Sequence, residues 1–154
     1  MPVIAEDDLS DASARALVEL HLRGMYAHSP PGAVFALDLS GLKAPGVTFW
    51  TARENGEAIG MAALKDLGDA GELKSMRTRP EWLRRGVAAA LLERIIVEAR
   101  RRGMKRLSLE TGSGEAFEPA LAFYRRRGFV DGGAFGDYEK SDFNNFLHLT
   151  LIET

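Results

Sequence analysis

The order of patterned segments predicts a mixed α/β protein: a mostly antiparallel central sheet with one βαβ unit built into it. Three observations carry this. Val47–Arg53 and Ala58–Leu64 are apolar, strand-like runs on either side of Asn55-Gly56, a strong hairpin signal. A strand pattern at Glu72–Thr78, a helix pattern at 87–102 and a strand pattern at Leu107–Thr111 then follow, which implies local parallel pairing. The 154 residues, 45% hydrophobic and without repeats or linkers, suffice for one core and one domain over 1–154.

The other elements follow from caps, breakers and periodicity. Asp8-Leu9-Ser10-Asp11 offers N-caps for a first helix with apolar positions at Ala14, Leu17, Val18, Leu20 and Met25, and Ser29-Pro30-Pro31-Gly32 ends it. A short helix or turn is expected at about Ala33–Leu42, before Pro45-Gly46. Alternation in the 72–78 strand places Glu72, Lys74, Met76 and Thr78 on one face and Leu73, Ser75 and Arg77 on the other. Pro80–Gly86 reads as a turn into the best helix of the chain. There Val87, Ala88, Leu91, Leu92, Ile95, Ile96 and Ala99 form one stripe, three arginines occupy the last turn, and Gly103 is the left-handed stop. After a loop at Gly112–Glu118, Pro119 opens a helix reaching Arg127, with closing strands at Phe129-Val130 and Asn145–Ile152. The expected order is α, α, β, β, β, α, β, α, β, β.

Composition narrows the chemistry. Cysteine is absent, which excludes a disulfide scaffold, a Cys-based zinc site and a Cys-linked acyl-enzyme. No apolar run is long enough to span a membrane and the N-terminus turns acidic at once, so a cytoplasmic protein with no membrane partner is expected. The formal charge of −2 hides an asymmetry, because residues 77–106 carry ten basic and three acidic side chains between acidic flanks. Such a segment suits an anion or a solvated helix face. Aromatic residues are not interleaved with it, which argues against nucleic acid.

Arg84-Arg85-Gly86-Val87-Ala88-Ala89 stands where a strand hands over to a helix. The first turn of a helix has unpaired N–H groups and partial positive charge, and small residues let an anion approach that backbone. The two arginines add charge-assisted hydrogen bonds, so the turn suits a pyrophosphate. No Gly-Lys-Ser/Thr follows and no G-x-G-x-x-G is present, so neither a P-loop nor a Rossmann turn is indicated.

Three segments together resemble the GNAT family of acetyl-CoA-dependent acyltransferases. Glu72–Trp82 resembles the family's fourth strand and following loop. Leu83-Arg84-Arg85-Gly86-Val87-Ala88 resembles its Gln/Arg-x-x-Gly-x-Gly/Ala signature, and Ala120–Phe129 resembles its A-x-x-x-Y-x-x-x-G-F helix. Leu83 departs from the signature's first position, and Phe117 replaces an asparagine often found seven residues before the tyrosine. The resemblance implies acetyl-CoA as co-substrate, with no metal, in a gap between splayed fourth and fifth strands. The implied cofactor contacts are Met76, Arg77, Thr78, Arg84, Arg85, Gly86, Val87, Ala88, Ala89, Thr111 and Phe123.

The resemblance also implies direct acetyl transfer to an amine, with Tyr124 as proton donor to the leaving thiolate. A phenol (pKa about 10) transferring its proton to a thiolate (about 8.5) works uphill. Glu72 is the first candidate for general base, with Glu110, His28 or a water relay as alternatives. Lys74 occupies a position where many family members are acidic. His28, Phe35, Asp137 and Tyr138 lie in the segments expected to read the acceptor, a small-molecule or amino-acid-like amine. Acetylation of a protein or peptide and a non-catalytic acetyl-CoA sensor are the alternative functions. The family also allows a homodimer.

Overall fold

The computed structural model describes residues 2–151. Seven strands form one sheet: β1 (Val3–Glu6), β2 (Val47–Glu54), β3 (Glu57–Asp66), β4 (Ala70–Thr78), β5 (Arg106–Thr111), β6 (Val130–Asp131) and β7 (Asn145–Thr150). Their spatial order is β1-β2-β3-β4-β5-β7-β6, and all neighbours are antiparallel except β4 and β5. Helix α3 (Val87–Arg101) makes the crossover between these two. Helices α1 (Ala12–His28) and α2 (Leu39–Leu42) cover one face of the sheet, and α3 and α4 (Glu118–Arg126) the other.

The expected mixed sheet and its βαβ unit are present, with several differences of detail. Strand β1 was not anticipated: four residues have too little pattern to read, and they become a strand only by pairing with the edge of β2, from Val3↔Arg53 to Glu6↔Trp50. Arg53 locks the junction by pairing with Asp7 and with Asp11, each at 2.7 Å, while Asp11 caps α1 through the amide of Ala14. The expected helix or turn at 33–42 contracts to Leu39–Leu42, capped by Asp38, and residues 33–38 run as irregular chain. β4 begins two residues earlier than the sequence pattern indicates. Ile152, expected to end the last strand, lies outside the described residues.

A further correction concerns β4. Met61 pairs with Arg77 but Ala63 pairs with Lys74, so Ser75 and Met76 both stand opposite Ala62 in a β-bulge, with Ser75 at φ 57°. Strict alternation therefore fails after Lys74. Met76 joins Leu73 against the α3 core, whereas Arg77 turns to the α1 side with Glu72 and Lys74.

The α3 stripe is buried as its spacing predicts except at Ala88, which is half-buried and faces the β4–β5 side, with Leu91 and Ile95 fully enclosed against β-strand residues such as Ile59, Leu64 and Leu107. Gly60 brings the helix close, since a Cβ there would lie 2.6 Å from Val87 Cγ1. Leu91→Ala should cost about 2–5 kcal/mol in denaturant unfolding, from lost transfer energy and an unfilled cavity. A loss well below that range would show that α3 can resettle on the sheet.

Candidate active site

Strands β4 and β5 are hydrogen-bonded only at Ala70↔Arg106, Gly71↔Leu107 and Glu72↔Ser108. Beyond that point β4 stays with β3 and β5 stays with β7, so the facing edges at 73–78 and 109–111 are free of each other. A cleft of about 1170 Å³ opens there. Its mouth is the N-terminus of α3, where Gly86 at φ +82° is the N-cap and no side chain caps the first amides. A Cβ on Gly86 would meet nothing within 4 Å, so the close approach is open and the left-handed backbone is what favours glycine. Ala88 and Ala89 line the cleft beside Arg84, Arg126 and Arg127. Deeper in, Ser75 Oγ is buried without a hydrogen-bond partner among the described residues. Uncapped amides, flanking guanidiniums, two unpaired strand edges and an orphaned hydroxyl fit a long polar ligand with a phosphorylated end.

The other end of the cleft is polar in a different way. Tyr138 Oη donates to Glu72 Oε2 at 2.5 Å, and Lys74 Nζ donates to the same oxygen at 3.1 Å and to Tyr138 Oη at 2.8 Å. Glu72 is only 3% exposed, so this triad supplies the partners that a buried carboxylate requires. Tyr138 is held from its own side: Asn144 Oδ1 accepts from the Ser141 amide and Nδ2 donates to Glu139 O, which braces the loop between β6 and β7. Tyr138 also meets Phe35 edge-on, with ring centroids 5.2 Å apart, so this loop touches the segment after α1.

Glu110 lies across the cleft on β5. Burial, with a smaller push from Glu72 and a counteracting pull from Lys74, raises its carboxyl to about 7. Tyr124, on α4, is buried in the wall, and desolvation pushes its phenol well above the ordinary range. Arg77 donates from Nε to His21 Nδ1 at 3.0 Å, and burial holds the His21 imidazole down to about 3, hence neutral.

Of the residues singled out from sequence, Tyr124, Glu72, Met76, Arg77, Thr78, Arg84, Gly86, Val87, Ala88, Ala89, Thr111, Phe123, His28 and Phe35 all line this one cleft. Arg85 instead stacks on Trp82 at 5.0 Å, and Asp137 is exposed away from the lining. Tyr138 reaches the cleft through Glu72 and Lys74. The basic segment is not all devoted to the mouth. Arg101 and Arg102 pair with Glu98 at the far end of α3, about 20 Å away at 1.5 Å per residue. Conversely, Arg126 and Arg127 line the cleft without having been singled out, although the run Arg125-Arg126-Arg127 was a visible signal. The role of His21 and Gly24 beside Arg77 had no signal at all, because it depends on the bulge.

Raising an acid's folded pKa means that the folded state holds more protons between about 4.5 and 7, so stability falls as pH rises through that window. Glu110→Gln should remove this loss. The drop in Tm between pH 5 and pH 8 should be smaller in the variant than in the wild type, and an equal drop would place the titration elsewhere.

Comparison with known proteins agrees with the geometry. The Acetyltransferase (GNAT) family model matches residues 14–129. The chain is 46% identical over 154 residues to the uncharacterized N-acetyltransferase YedL of Escherichia coli (strain K12), covering 99% of this chain and 97% of the relative. It is equally 46% identical, over 142 residues, to the uncharacterized N-acetyltransferase YsnE of Bacillus subtilis (strain 168), covering 92% and 94%. An aminoglycoside 6′-N-acetyltransferase complexed with coenzyme A has the same fold at a TM-score of 0.77 and 14% identity, covering 99% and 98%. The chain belongs to the GNAT family of acetyltransferases, which use acetyl-CoA as donor.

Proposed function

We propose that the protein transfers the acetyl group of acetyl-CoA directly to the amine of a small, amino-acid-like acceptor. The observation that carries this reading is one cleft with two chemically different ends: uncapped helix amides and arginines at the mouth, and the carboxylates Glu72 and Glu110 at the far end, the first tied to Lys74. Amides 87–89 with Arg84 would hold the pyrophosphate, and the free edge of β4 at Met76 and Thr78 the pantetheine arm. The donor supplies a thioester carbonyl for the amine to attack.

The proton inventory assigns the side chains. The acceptor amine must lose a proton, and Glu110 is the better base of the two carboxylates. It stands at the cleft wall with a basicity raised by burial, whereas Glu72 Oε2 is already shared between Lys74 and Tyr138. Glu72 thereby positions Tyr138 and the loop that carries it. Tyr124 stays protonated throughout the working range, and a phenol with a raised pKa is a weaker acid than a thiol. Its contribution is a hydrogen bond held on the departing sulfur rather than full proton transfer. The Phe35–Tyr138 contact favours a small acceptor, because it joins the two segments on either side of the acceptor end, where a polypeptide would need an open groove.

The test is acetyl-CoA-dependent thiol release with panels of small amines and of peptides, beside calorimetry with acetyl-CoA. Small amines should react; activity on peptides alone would move the acceptor class, and binding without turnover on either panel would leave a sensor. Tyr124→Phe should lower kcat about 10- to 100-fold with little change in KM for acetyl-CoA, and full kcat would end its assignment. In the wild type kcat/KM should rise with pH through about 7, and Glu110→Gln should flatten that limb.

A further inference from the structure

Arg77 is a half-buried guanidinium with one side-chain hydrogen bond and, among the described residues, no acid paired with it. Its Nε donates to the neutral His21, and none of the ion pairs among the described residues involves it. Burial pulls its pKa down, and among the described residues no carboxylate offsets that. The site is built for the side chain: a Cβ on Gly24 would lie 3.0 Å from an Arg77 terminal nitrogen, so α1 leaves the room that the guanidinium fills. Both residues line the cleft, on the α1 side of the sheet and away from the α3 amides that suit phosphate.

Glu110 is the counterpart. It too lines the cleft, and it takes part in none of the ion pairs among the described residues. Glu110 lies two residues past Ser108, the partner of Glu72, which sets it level with Lys74. From Lys74 to Arg77 the strand advances only from Ala63 to Met61, because the bulge absorbs a residue, so Arg77 stands about 7 Å further along the strand direction than Glu110, on the opposite side of the gap between β4 and β5. A cation and an acid that make no ion pair within the described residues, on opposite sides of one cleft, are complementary to a molecule carrying both an ammonium and a carboxylate.

Resting on the acetyltransferase reading above, we infer that Arg77 binds the carboxylate of the acceptor and thereby selects amino-carboxylates over simple amines. Arg77 is in this view a specificity residue: it holds the acceptor's acid group while the amine stands near Glu110. A guanidinium also matches a carboxylate with two parallel hydrogen bonds, which lysine cannot supply.

The test compares L-amino acids, β-alanine and γ-aminobutyrate with the corresponding carboxamides, as acceptors in acetyl-CoA-dependent thiol release. The wild type should favour the acid over its amide by about 10- to 100-fold in kcat/KM, the size of a charge-assisted hydrogen-bond pair. Arg77→Gln should bring that ratio close to one, mainly through KM, and Arg77→Lys should restore it only partly. An acid-to-amide ratio near one in the wild type would overturn the inference, as would a variant that slows both members of a pair equally. Calorimetry of the same amino acids with coenzyme A-saturated wild type and Arg77→Gln tests Arg77 without turnover. Binding lost in the variant supports the inference even if no acetyl group moves, in which case the acetyltransferase reading alone fails. No binding of any amino acid to the wild type overturns the carboxylate role itself.

Discussion

The molecule depends on where two neighbouring strands stop pairing. Over Ala70–Glu72 and Arg106–Ser108 the sheet is continuous, and from the next residue onward it is open. A free strand edge inside a sheet leaves donors and acceptors that must be satisfied by something other than protein. The fold does not close the gap because each strand is committed elsewhere, β4 to β3 and β5 to β7, with α3 crossing above. The gap and the helix end that faces it are therefore one feature, and the ligand chemistry of both ends of the cleft follows from it.

The bulge at Ser75 is the second constraint, and it acts on charge. Without the extra residue, Arg77 would fall on the α3 side with Leu73, against an apolar core that includes Val87 and Leu91. With it, Arg77 shares the α1 side with Glu72 and Lys74 and meets His21. The charges on that side fall into two groups. Glu72 and Lys74 are paired and joined by Tyr138, which ties a distant loop to the sheet. Arg77 and Glu110 are unpaired and face the cleft. Buried charges that make no ion pair are costly, so this second group is the one on which the proposed acceptor binding rests.

Much of this was legible in the residues, for local reasons. The Asn55-Gly56 hairpin, the α3 stripe, Gly86 and Gly103 each depend on turn chemistry or periodicity within a few residues, and each lies where its pattern indicates. The phosphate-suited turn was visible because arginines, glycine and small residues occur together. β1 was hidden because it acquires its strand from β2, and the faces of β4 were misassigned beyond Lys74 because period two cannot foresee a bulge. Glu72 and Glu110 were both visible as acids, but their inequality was not, since it depends on Lys74 and on Tyr138 from 66 residues away.

The sequence by itself determined the element order, the βαβ unit, the anion-suited helix start and the family, all of which depend on neighbours along the chain. Only the tertiary structure decided which acid is free and which is tied, where Arg77 points, and that Phe35 meets Tyr138. These depend on distances between residues tens of positions apart, and on one bulge whose register is set by pairing with β3 rather than by any residue in β4 alone.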